Sequence, residues 1–146
     1  MRGEGTSYAY LPAAPYAEGD SALLSAVAQE LQRSGIEAIR GGTWTTDAPF
    51  RETRTAIDTA AAQGLKAIEM EVAGLYAFAR ACSRAVVCFA LVTNQMAQSE
   101  GDFEKGPDDG AGHALALTAA AARGWRSLTS TIVHTVRCEG LGKESS

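Results

Sequence analysis

The chain has 146 residues, 46 % of them hydrophobic and 21 % charged, enough for one domain with a real core and too apolar for global disorder. Its net charge of −4 excludes the positive field that nonspecific nucleic-acid binding requires. No apolar run is long enough for a membrane span, and Met1-Arg2-Gly3-Glu4-Gly5 does not lead into the apolar core of a signal peptide, so a cytoplasmic protein with no membrane partner is expected.

Residues 1–19 contain Gly3, Gly5, Pro12, Pro15 and Gly19 and read as loop, with a short extended piece at Thr6–Leu11. Asp20 is placed to cap a helix over Ser21–Ser34, with Leu23, Leu24, Val27, Ala28 and Leu31 on one face and Gly35 as its stop. Ile36–Thr43 reads as a strand closed by Gly41-Gly42, and Trp44–Glu52 as a polar, aromatic loop. An alanine-rich helix follows over Thr53–Gln63, ended by Gly64, then a short strand over Leu65–Met70. The next helix runs from Glu71 to Cys82, with Val72, Leu75, Ala79 and Cys82 on one face. Ala85–Val92 is almost continuously apolar, the pattern of a parallel strand buried on both faces.

Residues 93–112 form a long glycine-containing loop, a kind of stretch that is commonly functional in a compact domain. His113–Arg123 predicts a last helix and Leu128–Val136 a strand, within a tail over 124–146 whose end has no core. Alternating helices and strands over residues 1–146 imply a single α/β domain, three-layer α/β/α, with right-handed parallel crossovers. Cys82, Cys88 and Cys138 are odd in number and lack metal spacing, and His113 and His134 are isolated. That pattern fits free thiols in a reducing compartment and no metal site.

The chemistry concentrates where strands end. Glu69 and Glu71 are two residues apart, so on an extended backbone they point to the same side, with Met70 opposite. Carboxylates accept hydrogen bonds from adjacent hydroxyls, which suits a polyol, and ligands of open α/β sheets sit past the strands' carboxyl ends. The plainer alternative is a strand–helix junction with solvated acids. Two further loops follow strands. Trp44–Glu52 offers Thr45, Thr46, Asp47, Phe50, Arg51 and Glu52, an aromatic face with charged and hydroxyl groups suited to a flat heterocycle, or else a capped helix start. The other opens with Thr93 and Asn94; a carboxamide reads the edge of a nucleobase, or simply makes a turn.

Taken together, Gly42-Thr-Trp-Thr-Thr-Asp-Ala-Pro-Phe-Arg-Glu-Thr53, Glu69-Met-Glu-Val-Ala-Gly-Leu-Tyr76, and Phe89-Ala-Leu-Val-Thr-Asn-Gln-Met96 followed by Asp102-Phe-Glu-Lys-Gly106 resemble the nucleoside phosphorylase family, in its purine/uridine phosphorylase branch. Glu4-Gly5-Thr6-Ser7-Tyr8 fits the middle of such an enzyme, and the resemblance covers residues 4 to about 123. It implies a phosphorylase/hydrolase-like, mostly parallel sheet and a pentosyltransferase of nucleoside salvage. In that reaction phosphate, as co-substrate and without a further cofactor, displaces the base to give pentose 1-phosphate. By position, Glu71 would hold the ribose hydroxyls, Met70 would pack under the sugar and Glu69 would support the same site. Asn94, with Thr93 before it, falls where relatives carry the acid or amide that meets the leaving base; an amide is no general acid at neutral pH. Phe50, Asp47 and Arg51 would contact the base, and Lys105 lies near a helper arginine of relatives.

The sequence departs from the family in two places. Ala9 stands between Tyr8 and Tyr10 where close relatives are expected to carry a polar residue such as histidine. No glycine-rich phosphate cradle is evident, and Arg2, Arg40, Arg51 and Arg54 are the substitutes by composition alone. The expectation is therefore the C-terminal half of a phosphorylase, truncated at the N-terminus, with phosphate contacts supplied by a homo-oligomer or a partner chain. The alternatives are a noncatalytic nucleoside-binding or assembly subunit and a hydrolase in which water replaces phosphate.

Overall fold

A computed structural model describes residues 1–93 and 110–139. The backbone contacts divide the chain into two compact units, Met1–Asp20 with Ile39–Ala111, and Ser21–Ala38 with Gly112–Ser146.

The first unit is built on a parallel three-stranded sheet in the order β1 (Arg2–Gly3), β2 (Gly42–Thr46), β3 (Leu65–Glu69). Arg2 pairs with Thr45, and Thr45 in turn with Glu69, so the three strands end together. Helix α2 (Arg54–Ala62) connects β2 to β3, capped by the Thr53 hydroxyl, which accepts the Ala56 N–H at 3.3 Å. It ends where Gly64 turns the chain at φ +80°, a conformation that costs a residue with a Cβ. Helix α3 (Val72–Ala81) follows β3 directly. This is the α/β class with parallel strands that the alternating pattern implies.

Several boundaries differ from the sequence expectation, each for a physical reason. The strand expected over Ile36–Thr43 lies later: Ile39 is almost fully exposed and pairing begins only at Gly42. Strand position is set by partners, and β2 is chosen by threonines whose hydroxyls bond to β3 rather than by its most apolar residues. Gly42 opens the strand instead of closing one, paired with Leu65 at the start of β3.

Thr6–Leu11 is not extended; Thr6–Ala9 form a 3-10 turn. The Glu4 carboxylate accepts the Ser7 N–H at 2.9 Å, and Arg2 donates to Ser7 Oγ at 2.8 Å and to the carbonyls of Pro12 and Leu11 at 2.7 and 3.2 Å. The buried face of α3 is Ala73 and Ala77, not Leu75, Ala79 and Cys82, because small side chains let the 3-10 turn approach closely, Thr6 against Gly74.

Among the described residues Ala85–Val92 makes no ladder. Its apolar run carries the burial preference of a central strand but has no strand partner among them: Phe89, Leu91 and Val92 are exposed, and the Cys88 N–H donates to the Tyr76 hydroxyl at 3.3 Å. Asn94 and Lys105 lie outside the described residues.

The second unit pairs α1 (Ser21–Arg33) with α4 (Ala111–Glu139). Leu23, Val27 and Leu31 are buried on α1 as the periodicity predicts, while Ala28 is exposed. Glu30, also buried, meets Arg123 of α4 at 2.6 Å and Arg33 at 2.8 Å. The Arg123 hydrogen bond holds the Glu30 carboxyl below the ordinary range against the opposing effect of burial. The strand expected over Leu128–Val136 is instead part of α4. A helix satisfies its backbone locally whereas a strand needs a neighbour, and threonine is compatible with it: Thr118 and Thr129 donate back to carbonyls of the preceding turn. Among the described residues no helix is long and apolar enough to cross a membrane.

Candidate functional site

The site lies where β3 meets α3. Thr43 and Thr45 are two apart on β2 and share a face beside Glu69 on β3. Both hydroxyls donate to Glu69 Oε1, at 2.9 and 2.5 Å. Glu69 Oε2 accepts the backbone N–H groups of Glu71 at 2.7 Å and Val72 at 2.6 Å. The Thr45 oxygen accepts the next one, from Ala73, at 3.0 Å. A helix start leaves about four N–H groups without partners; here one carboxylate and one buried hydroxyl take three in succession. Burial pushes the Glu69 carboxyl up, but hydrogen bonds from Thr45, Val72, Glu71 and Thr43 outweigh it and leave the group below the ordinary range. A charge at this end of α3 also complements the helix dipole.

Glu71, the residue before the helix, is arranged differently. Its side chain makes no cap bond to the helix, is exposed, and accepts a long 3.3 Å bond from the Met70 N–H. Glu69 and Glu71 together line a cavity of about 750 Å³ with Val72, Leu75, Phe89 and Thr93. Cys88 lines the same cavity, and burial raises both its thiol and the Tyr76 hydroxyl that binds its backbone.

Of the residues singled out from sequence, Glu69, Glu71 and Thr93 therefore share one cavity, while Met70 is half exposed beside it. Asp47, Phe50 and Arg51 are not in its wall. Asp47 accepts the Gly5 N–H at 3.3 Å, bridging the ends of β1 and β2. Phe50 and Arg51 project from the 3-10 turn Pro49–Arg51, with Phe50 fully exposed. Arg2 is buried, its guanidinium taken by Ser7, Leu11 and Pro12 and stacked 3.9 Å over the Tyr8 ring, and Arg54 pairs with Asp58. Sequence reading did not single out Thr43, and it placed Thr45 among the hydrogen-bonders of a base-facing loop, not beside Glu69. Their signal was present as two β-branched hydroxyl residues at period two, but it sat across an expected strand–loop boundary.

A model of the phosphorylase superfamily matches residues 1–129. The chain belongs to the phosphorylase superfamily. The match takes in every segment on which the nucleoside phosphorylase resemblance rests, including Glu4–Tyr8 and the Glu69–Tyr76 corner. No curated protein and no solved structure gives a significant match. In this phosphorylase-superfamily chain the acid pair is thus divided: both residues line the cavity, but the Glu69 carboxylate is bonded to strand and helix, whereas the Glu71 carboxylate takes only the long bond from the Met70 N–H. Membership supports a nucleoside phosphorylase-like role.

Proposed function

We propose that the chain binds a nucleoside and takes part in its phosphorolysis to free base and pentose 1-phosphate, as a pentosyltransferase of nucleoside salvage. The observation that carries this reading is the Glu71 carboxylate, uncommitted to the helix cap and lining the cavity at the β3–α3 corner of a phosphorylase-superfamily chain. Adjacent sugar hydroxyls donate to such a carboxylate through charge-assisted bonds. A nearby anion also stabilises the positive charge that develops on the pentose as the base departs. Met70 lies beside Glu71 for the sugar, and Thr93 leads to Asn94, which meets the base. Phe50, Asp47 and Arg51 are the further candidates for base contacts by position in the family pattern. Phosphate is the co-substrate, and its contacts come from a second copy or a partner chain.

One observation favours a second reading, a noncatalytic nucleoside-binding subunit. The arginine that opens β1 is buried and bonded to its own loop, and the side chains at or just after the strand ends, Glu4, Asp47, Glu69 and Glu71, are acidic and repel phosphate. The test is release of free base from inosine, guanosine and uridine, with and without orthophosphate. Phosphate-dependent release that Glu71→Ala abolishes in a folded protein supports the enzyme. Nucleoside binding without release favours the subunit, release without phosphate favours hydrolysis, and unchanged affinity in Glu71→Ala removes the ribose assignment.

A further inference from the structure

The acid pair invites the assumption that both carboxylates touch the sugar; the geometry points to a different division of labour. We infer that Glu69 and Thr45 are positioning residues that set the Glu71 carboxylate, and that Glu69 is not itself a ligand contact. This deepens the nucleoside reading above and rests on it.

An ionised carboxylate has about four acceptor positions. In Glu69 four donors occupy them: the hydroxyls of Thr43 and Thr45 and the N–H groups of Glu71 and Val72, at 2.5–2.9 Å. No acceptor position is left for a sugar hydroxyl. Thr45 is 1 % exposed and extends the same arrangement to the Ala73 N–H. Glu71 is therefore attached to the sheet through its own N–H and through the next two amides of the helix. Its backbone is held while its carboxylate makes only the long 3.3 Å bond from the Met70 N–H, which is what a ligand-gripping acid requires: an immobile base and an available head. Thr43 and Thr45 belong to β2 and Glu69 to β3, so the register Thr45↔Glu69 determines where Glu71 stands. The same hydrogen bonds hold the Glu69 carboxyl below the ordinary range against the effect of burial.

The experiment uses the full chain with inosine and uridine as probes in the presence of orthophosphate. Thr45→Val keeps the shape and removes the hydroxyl; Glu69→Gln keeps the size and removes the charge. Each is expected to weaken nucleoside affinity by about tenfold or more, the consequence of losing hydrogen bonds to a charged group. Thr45→Ser restores affinity. In a Glu71→Gln background neither substitution costs anything further, because both act through Glu71. Additive losses in that background overturn the inference and make Glu69 a direct contact.

Amide hydrogen exchange at Glu71, Val72 and Ala73 gives a second readout that needs no nucleoside. Thr45→Val is expected to speed exchange at Ala73, and Glu69→Gln at Glu71 and Val72. Wild-type exchange in both variants overturns the inference. Faster exchange in a protein that binds neither probe instead supports the attachment and removes the nucleoside reading.

Discussion

Replacing Gly124 by alanine sets two effects of opposite sign against each other. Glycine inside a helix costs about 1 kcal/mol relative to alanine, so on propensity alone the change stabilises α4. The packing opposes it. A Cβ on Gly124 would lie 2.9 Å from Val27 Cα and 3.0 Å from the Ala26 carbonyl oxygen, both backbone atoms of α1. Carbon atoms rest at about 3.5–4.0 Å, so the helices must separate by roughly 0.5–1 Å, and no side-chain rotation relieves the contact. Overpacking of this kind costs about 1–3 kcal/mol. Separation also stretches the 2.6 Å Glu30–Arg123 bond across the same pair of helices. The net expectation is a loss of about 1–2 kcal/mol, or roughly 3–8 °C in melting temperature for a chain of this size. Gly112, near the start of α4, is the control, because a Cβ there meets nothing within 4 Å. Gly112→Ala is expected to hold or raise the melting temperature. Thermal unfolding followed by far-ultraviolet circular dichroism compares the two. A Gly124→Ala protein that melts at or above wild type, with its helical signal intact, refutes the packing argument.

The carboxylates predict a pH dependence of mixed sign. Glu69 and Glu30 lie below the ordinary range when folded, so their contribution is present above the ordinary glutamate pKa and is lost as pH falls through their folded values. Acid denaturation of Glu30→Gln should accordingly be shallower than that of wild type, from a lower starting stability. Glu52 is the reverse: burial raises its carboxyl, and one oxygen has no partner among the described residues. Its contribution is present below the ordinary value and lost as pH rises through the folded one, so Glu52→Gln should be neutral or stabilising at pH about 7. Denaturant midpoints across the acid range check both signs. The thiols should also separate. Cys82 is exposed, whereas Cys88 is half-buried with its thiol pushed up by burial, so a thiol reagent at neutral pH should modify Cys82 first. Peptide mapping by mass spectrometry reads the order, and faster labelling of Cys88 would refute it.

What could be read from the chain alone was local. Gly35 and Gly64 turn at positive φ just beyond the helices whose ends they mark, and Thr53 caps the helix it precedes. Leu65–Glu69 followed by α3 is a junction written in adjacent residues, so the Glu69–Glu71 corner is legible in the amino-acid order itself. The apolar spacing of Leu23, Val27 and Leu31 likewise names the buried stripe of α1. These features depend on backbone conformation and on neighbours within a few residues, which the sequence states directly.

Tertiary structure alone decided what depends on partners. A strand's position follows from the edge it meets, so β2 lies at Gly42–Thr46 and the more apolar Ala85–Val92 makes no ladder among the described residues. The close approach of α1 to Gly124 and of the 3-10 turn to Gly74 follows from which elements meet, not from either segment's own pattern. The same holds within the acid pair. Two glutamates two residues apart are equivalent on paper; hydroxyls from a strand more than twenty residues away bond the carboxylate of one and not of the other, although both line the cavity. Hydrogen bonds across that distance follow from sheet register, and register is a property of the assembled strands.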